Sequence, residues 1–303
     1  MKTTMKEATK KNTFSIQLIV KKKTEVLLKN FPDWHIHKLC SGQKIKKLFE
    51  PLRWNRSNFV KCLGLIAIAL TILGCTKKTE ESKKPECDCL GCETGIITDA
   101  DNNSYKTIRI CDTWWMARNL ATTHFNDGTL ILNIIDDLTW ETTSSPAYCA
   151  YNNDYINNYF IYGALYNFYA VETQKLCPVG WHVASYKDWV SLAEAMGDTD
   201  YLTGDILTGR SGGKLKEKGT THWKNPNIAA SDTAGFTALP GGLRSTTTGV
   251  YYELGTSGFW HSSDINEYGV MVDFQILNDK SYLSNGTGGA KNNGFSVRCV
   301  RNN

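Results

Sequence analysis

The stretch Leu176–Gly197, LCPVGWHVASYKDWVSLAEAMG, decides the fold class. Trp181 to Ala184 read as a short extended segment, and Ser185 then stands where a helix N-cap belongs. Asp188, three residues on, completes a capping box in which each side chain satisfies a backbone N–H of the first turn. Trp189, Leu192, Ala193 and Met196 follow at helical spacing on one face, and Gly197 supplies the residue on which a helix stops. A helix with one apolar face needs a core to cover it, so the surrounding chain must supply a sheet.

Working outward, the extended segments are short and punctuated. Downstream, GGKLKEKGTTHWKNPN and SDTAGFTALPGGLRSTTTGVYYELGTSGFWHSSD are rich in Gly, Ser and Thr with interspersed aromatics, as many short strands and ordered turns require. YGVMVDFQI, residues 268–276, places Val270, Val272, Phe274 and Ile276 at period two, and GFSVRCVR, residues 294–301, places Phe295, Val297 and Cys299 opposite Ser296, Arg298 and Val300. Upstream, Tyr162–Thr173 puts Ala164, Leu165, Phe168, Tyr169 and Glu172 together at helical spacing and predicts one short helix. DLTWETTSSPAYCAYNND lacks sustained periodicity and reads as a long ordered loop. Asn126-Asp127-Gly128 reads as a turn, as does Asp99 to Asn103, which precedes a strand carrying Tyr105, Thr107 and Arg109. The expected class is α+β, a mixed domain with few helices, small twisted sheets and long ordered loops.

The amino-terminal third has a different character. Cys62–Cys75, CLGLIAIALTILGC, follows a basic flank, has an apolar centre, and ends in small residues. It is shorter than the roughly 20 apolar residues of a spanning helix and has the layout of an export signal. Its last four residues resemble a bacterial lipobox, which marks Cys75 for lipidation. Residues 1–61 form a basic N-terminal extension, longer than a signal peptide's usual leader. Two readings stand: a basic cytoplasmic extension, or a translation start nearer Leu52 or Val60. Residues 76–94 are polar and charged and read as a flexible tether. Cys87, Cys89 and Cys92 within it suit disulfide pairing in an oxidising compartment, with a metal site as the alternative. The folded domain is expected over residues 95–303.

Charge separates the same segments. The net charge of +4 combines 15 Lys and Arg against 4 Asp and Glu in residues 1–61 with 19 against 26 in the remainder. The part expected to fold is therefore acidic, which argues against nucleic acid as a partner. Thr76 after the lipidated cysteine, together with Glu80-Glu81, fits the outer membrane with the protein facing outward.

WWMARNL, YNND, YGALYNFYA, LCPVGWHVASYKDW, GGKLKEKGTTHW, GFTALPGGLR, GFWHSS and NNGFSVRCVR occur in the order and approximate spacing of the Fibrobacter succinogenes major paralogous domain. The chain resembles that family, whose members are exported bacterial proteins and often lipoproteins. More distantly, GWHVASYKDWVSLAEA and NNGFSVRCVR are similar to elements of formylglycine-generating enzymes and C-type lectins. That resemblance implies a C-type-lectin-like frame with loops carrying any binding surface; fold by itself does not give function.

The chemistry is sparse. An oxidase of the formylglycine-generating type would need a paired cysteine upstream of the last strand, and residues 272–292 contain none. His124, His182, His222 and His261 stand in no hydrolase or metalloprotease motif, so no catalytic set, cofactor or metal is expected. A hydrolase with dispersed carboxylates remains the enzymatic alternative. Asp264, Asn266 and Glu267 are the best of a weak set for calcium. Cys177, just before the GWH segment, and Cys299, on the last extended run, are expected to form a disulfide closing about 120 residues. Seven cysteines lie beyond Cys75, an odd number, and Cys111 and Cys149 have open partners. Rings in Gly-rich, polar surroundings suggest a ligand surface of Trp223, Tyr251, Tyr252 and Trp260, with Arg244 and His261 supplying polar groups. The expected function is a surface-anchored binding or adhesion module for a polysaccharide, another glycan or a surface protein, with a scaffold lipoprotein as the alternative.

Overall fold

A computed structural model describes residues 92–198 and 209–302. The N-terminal extension, the run Cys62–Cys75 with its lipidation site, and most of the tether, including Cys87 and Cys89, lie outside the described residues.

The main sheet has five antiparallel strands in the order β1-β2-β3-β13-β7. β1 (Thr94–Thr98) and β2 (Ser104–Ile110) form a hairpin around the expected turn. Asp99 accepts hydrogen bonds from the amides of Asp101 and Asn103, both at 2.9 Å, and from the Tyr105 hydroxyl at 2.5 Å. A short polar side chain here does the work of a backbone turn. β3 (Thr113–Met116) carries Trp114 and Trp115; β7 (Trp181–Val183) is the extended segment before the capping box. β13 (Cys299–Arg301), close to the end of the chain, is an interior strand of the sheet, paired with β3 on one side and with the edge strand β7 on the other.

The longest helix follows β7. The expected caps are present: Ser185 Oγ accepts the Asp188 amide and the Asp188 carboxylate accepts the Ser185 amide, giving a helix over Tyr186–Ala195, and Gly197 follows at φ +93°. Its Trp189 is fully buried, stacked on Phe274 at 5.2 Å and 19°, and lies 5.2 Å from Trp115 and 5.9 Å from Trp260. Phe274 and Trp260 belong to a second sheet, the antiparallel meander of β10 (Ser257–Ile265), β11 (Met271–Leu277) and β12 (Ser284–Gly289). The helix and two sheets thus close on one aromatic core.

Two upstream expectations are corrected. The single helix predicted over Tyr162–Thr173 is broken by Gly163 at φ +77°. A helix over Asn158–Tyr162 ends there, β6 (Leu165–Tyr166) follows, and a second helix, Phe168–Glu172, begins with Asn167 accepting the Ala170 amide. Tertiary pairing overrides the local period, because Tyr166 exchanges backbone hydrogen bonds with Phe295. The stretch read as a long loop holds a six-residue helix, Asp137–Thr142, capped by Asp136, and β5 (Ala147–Cys149), which pairs with β6 and with β4 (Leu132–Asn133). In chain order these helices are α1 (Asp137–Thr142), α2 (Asn158–Tyr162), α3 (Phe168–Glu172) and α4 (Tyr186–Ala195), followed by α5 (Ser211–Leu215).

The C-terminal segment joins the sheets. Gly294, Phe295 and Ser296 bridge in turn to Arg244, Tyr166 and Trp260 before the chain enters β13. Arg298, fully buried, donates to Asn119 Oδ1 at 2.7 Å and to the carbonyls of Met116, Phe236 and Thr237 at 2.8–3.0 Å, with its guanidinium 4.2 Å from the Phe236 ring. A buried cation survives only when its donors are used in this way. The Cys177–Cys299 disulfide, 122 residues apart, pins the same strand to the segment before β7. Cys111 also takes part in a disulfide, whereas Cys92 and Cys149 are free thiols.

Candidate functional site

The GFTALPGGLR segment packs behind residues that line a cleft. Gly242, at φ +64°, lies under the Tyr252 carbonyl and the Tyr151 ring, and a Cβ at this position would collide with both. Beyond it β8 (Leu243–Arg244) and β9 (Tyr251–Tyr252) form a two-stranded hairpin. The resulting depression, about 500 Å³, opens to solvent between Tyr151, Tyr162, Tyr251, Tyr252, His222 and Glu253. Asn152 and Lys224 stand at its edge.

Its rim is held in unusual backbone geometry. Asn152 and Glu253 both line the cleft with positive φ, 52° and 65°. Asn tolerates the left-handed region, but Glu does so at a cost of order 1 kcal/mol, and such residues persist where the surroundings over-determine them. The Tyr251 ring lies 5.2 Å from Tyr151, and its hydroxyl donates to Asn153 Oδ1 at 2.8 Å. Burial pushes the Tyr251 phenol well above its ordinary range, so it remains a donor. Tyr162 is shifted in the same direction, by burial first and then by the nearby Glu217 carboxylate. His222 Nδ1 faces both Glu217 oxygens at 2.8 and 2.9 Å, and the imidazole stands edge-on to Tyr162 at 5.9 Å.

Of the residues singled out in the sequence, Tyr251 and Tyr252 line this cleft; Tyr252 is 46 % exposed. The other four are corrections. Trp223 is 1 % exposed, donates Nε1–H to the Ala238 carbonyl at 2.9 Å and takes Lys216 Nζ over its ring at 5.4 Å. Trp260 is fully buried and donates to Asn119 Oδ1 at 2.9 Å. His261 is fully buried between Phe168 and Phe295, with Nε2 at 2.7 Å from the Tyr166 carbonyl, and burial lowers its pKa to about 4. Arg244 is buried behind the cleft, its guanidinium 4.6 Å from the Trp140 ring and 4.9 Å from that of Tyr251. It donates to the carbonyls of Gly249, Ile134 and Ile135 and to Asp137 Oδ1, so it braces the Tyr251 wall and touches no solvent-facing ligand surface.

The glycines that suggested exposure explain the burial. A Cβ on Gly258 would strike the Trp260 ring, so that glycine lets backbone approach an indole face. The signals missed were His222 in KEKGTTHW, with Glu217 five residues before it, and the paired asparagines of YNND, both in the left-handed region.

Other polar clusters serve the fold. Ser185 Oγ donates to Asp188 Oδ2 at 2.5 Å while His182 Nε2 lies 3.0 Å from that same oxygen; the serine is bound to the carboxylate and not to the imidazole, which is the wiring of a helix cap and not of a nucleophile. His182 is raised by that carboxylate. His124 and the backbone of Thr123 are held by Asp101. Asp264 accepts the Tyr186 amide and the Ser262 hydroxyl, and Asn266 closes a turn onto Tyr268 and Val270. Among the described residues no three His, Cys, Asp or Glu side chains gather as a metal would need.

A family model, the Fibrobacter succinogenes major domain, matches residues 108–301. The chain belongs to this family. Comparison with curated proteins and with solved structures returns no match. The cleft residues, from Tyr151 to Gly255, all fall within the span that defines the Fibrobacter succinogenes major domain here.

Proposed function

We propose that this protein is an exported, lipid-anchored surface module that binds a glycan or another extracellular ligand in the tyrosine-lined cleft, without altering it. The observation that carries the reading is the cleft itself: two half-open tyrosine rings, one of them, Tyr251, fixed from behind by the buried Arg244, beside exposed amide and carboxylate groups on a strained rim. Rings held in place lose little entropy when a ligand stacks on them. A C-type-lectin-like frame, with its loops gathered on one side of a small sheet, is the architecture this reading assigns to the domain. Lipidation at Cys75 would place it on the outer membrane, facing outward, with residues 76–94 as the tether.

A scaffold that binds another protein is the second reading. Leu132, Ile135 and Leu138 favour it, being 51–68 % exposed around α1. Capture of the full-length chain on immobilised polysaccharides and on isolated cell-surface protein separates the two: the cleft reading requires Tyr252→Ala to abolish polysaccharide capture while an exchange at Leu138 leaves it intact. Retained capture by Tyr252→Ala would exclude the cleft. For the anchor, Cys75→Ala should move the protein from the membrane to the soluble fraction and remove an acyl mass.

A further inference from the structure

We infer that the cleft selects an uncharged sugar ring, and that His222 does so by accepting a hydrogen bond from one of its hydroxyls. This rests on the reading that the cleft is the binding site. Glu217 faces Nδ1 with both carboxylate oxygens, at 2.8 and 2.9 Å. A carboxylate only accepts, so Nδ1 carries the proton and the neutral ring's free lone pair sits on Nε2. That nitrogen makes no hydrogen bond among the described residues. It is not one of the buried polar atoms lacking a partner, which are Asn227 Oδ1 and His261 Nδ1. Nε2 is therefore open to solvent, on a residue that lines the cleft. The edge contact with Tyr162, at 81°, keeps the imidazole in this orientation.

Charge and shape narrow the ligand. Among the lining residues Glu253 offsets Lys224, and the Glu217 carboxylate behind His222 adds one negative charge, which disfavours an anion. An open acceptor on the cleft wall takes a donor, and Tyr252 offers an apolar face close by. A pyranose supplies both, with hydroxyl donors around its rim and a C–H face that stacks on a ring. Glu253 and Asn152, both exposed, are placed to take further hydroxyls.

Saturation-transfer NMR on the full-length chain tests this with D-glucose, D-galactose, D-mannose, their uronic acids and choline as probes. At least one hexose should bind, and its own uronate should bind about tenfold more weakly or not at all. His222→Phe, which keeps a ring and removes the acceptor, should weaken the hexose threefold to tenfold, the usual worth of one hydrogen bond. Glu217→Gln should weaken it by less, because an amide permits either tautomer. If His222→Phe does not fold, the monodeoxy forms of the bound hexose are titrated against the unaltered chain, and loss of one particular hydroxyl should cost the same factor. An unchanged affinity in His222→Phe, tolerance of every deoxy form, a uronate as tight as its hexose, or binding of choline alone each overturns the inference. Loss of binding in Tyr252→Ala with His222→Phe unaffected leaves the cleft as the site and removes only the role of His222. Hexose binding indifferent to both variants, or no binding of any probe, removes both.

Discussion

Replacing Asp273 with asparagine should stabilise the protein at neutral pH and expose a hidden sensitivity to acid. Asp273 lies mid-strand in β11, 7 % exposed, directly opposite His261 on β10 and Gly286 on β12. Its carboxylate occupies the space where a Gly286 side chain would stand. Burial raises its pKa from 3.8 to about 6. The folded state then binds the proton more tightly than the unfolded chain, so this group's contribution falls as pH rises from 3.8 to 6 and costs about 3 kcal/mol above that window. His261 acts in the opposite sense. Burial lowers it from 6.5 to about 4, so the unfolded chain binds the proton more tightly, and stability is lost as pH falls from 6.5 to 4, again by about 3 kcal/mol. Between pH 4 and 6 the two slopes cancel. In Asp273→Asn only the histidine slope remains. At pH 7 the variant should gain about 1–3 kcal/mol, the lower end allowing for an amide whose donors find no partner, and melt a few degrees higher. At pH 4 the gain should vanish. Urea unfolding followed by circular dichroism between pH 3.5 and 7.5 reads the difference between variant and wild type, in which the other ionisable groups drop out. A gain that does not change with pH, or a loss at pH 7, would show that the carboxylate is stabilised in its charged form and refute the reasoning.

Further outcomes follow from burial and from the cleft. Trp223→Ala should cost about 3–5 kcal/mol, as truncation of a buried large ring does, while Tyr252→Ala should change stability by less than about 0.5 kcal/mol; thermal melts compare them directly. Cys177→Ser should cost about 2–5 kcal/mol in urea unfolding by freeing the 122-residue loop, and reduction of the wild type, which also opens the Cys111 bridge, should cost at least as much. Gly242→Ala should disturb the cleft from behind, since the new methyl meets the Tyr252 carbonyl and the Tyr151 ring at a positive-φ position, and fluorescence quenching should show Tyr251 and Tyr252 more accessible.

The main helix could be read from sequence because its information is local: Ser185, Asp188 and Gly197 set both ends whatever the rest of the chain does. The Asp99–Asn103 turn was legible for the same reason, and so was most of the extended run 268–276, whose first three residues belong instead to the turn closed by Asn266 before β11 begins at Met271. The break at Gly163 was not, because the helical spacing of Ala164, Leu165 and Phe168 is real and is overridden only by Phe295, more than a hundred residues away. α1 was missed because six residues hold too few turns for a period to show, although Asp136 is an ordinary N-cap. The cleft proposed as the site was half legible. Tyr251 and Tyr252, singled out by their polar setting, do line the cleft, but that rule misplaced Trp223 and Trp260, since glycine beside an aromatic can mean close approach to the ring as well as exposure of it. Glu217 and His222 escaped because no motif marks a pair whose meaning lies in which imidazole nitrogen is left open.

The central claim is that the tyrosine-lined cleft, and not the buried indoles, is where this protein meets its ligand. Capture of the full-length Tyr251→Ala/Tyr252→Ala double variant on a polysaccharide and glycan array, beside wild type and with melting curves for both, tests it most directly. The account predicts loss of at least about tenfold in capture with the melt nearly unchanged; capture equal to wild type by a folded double variant would contradict it.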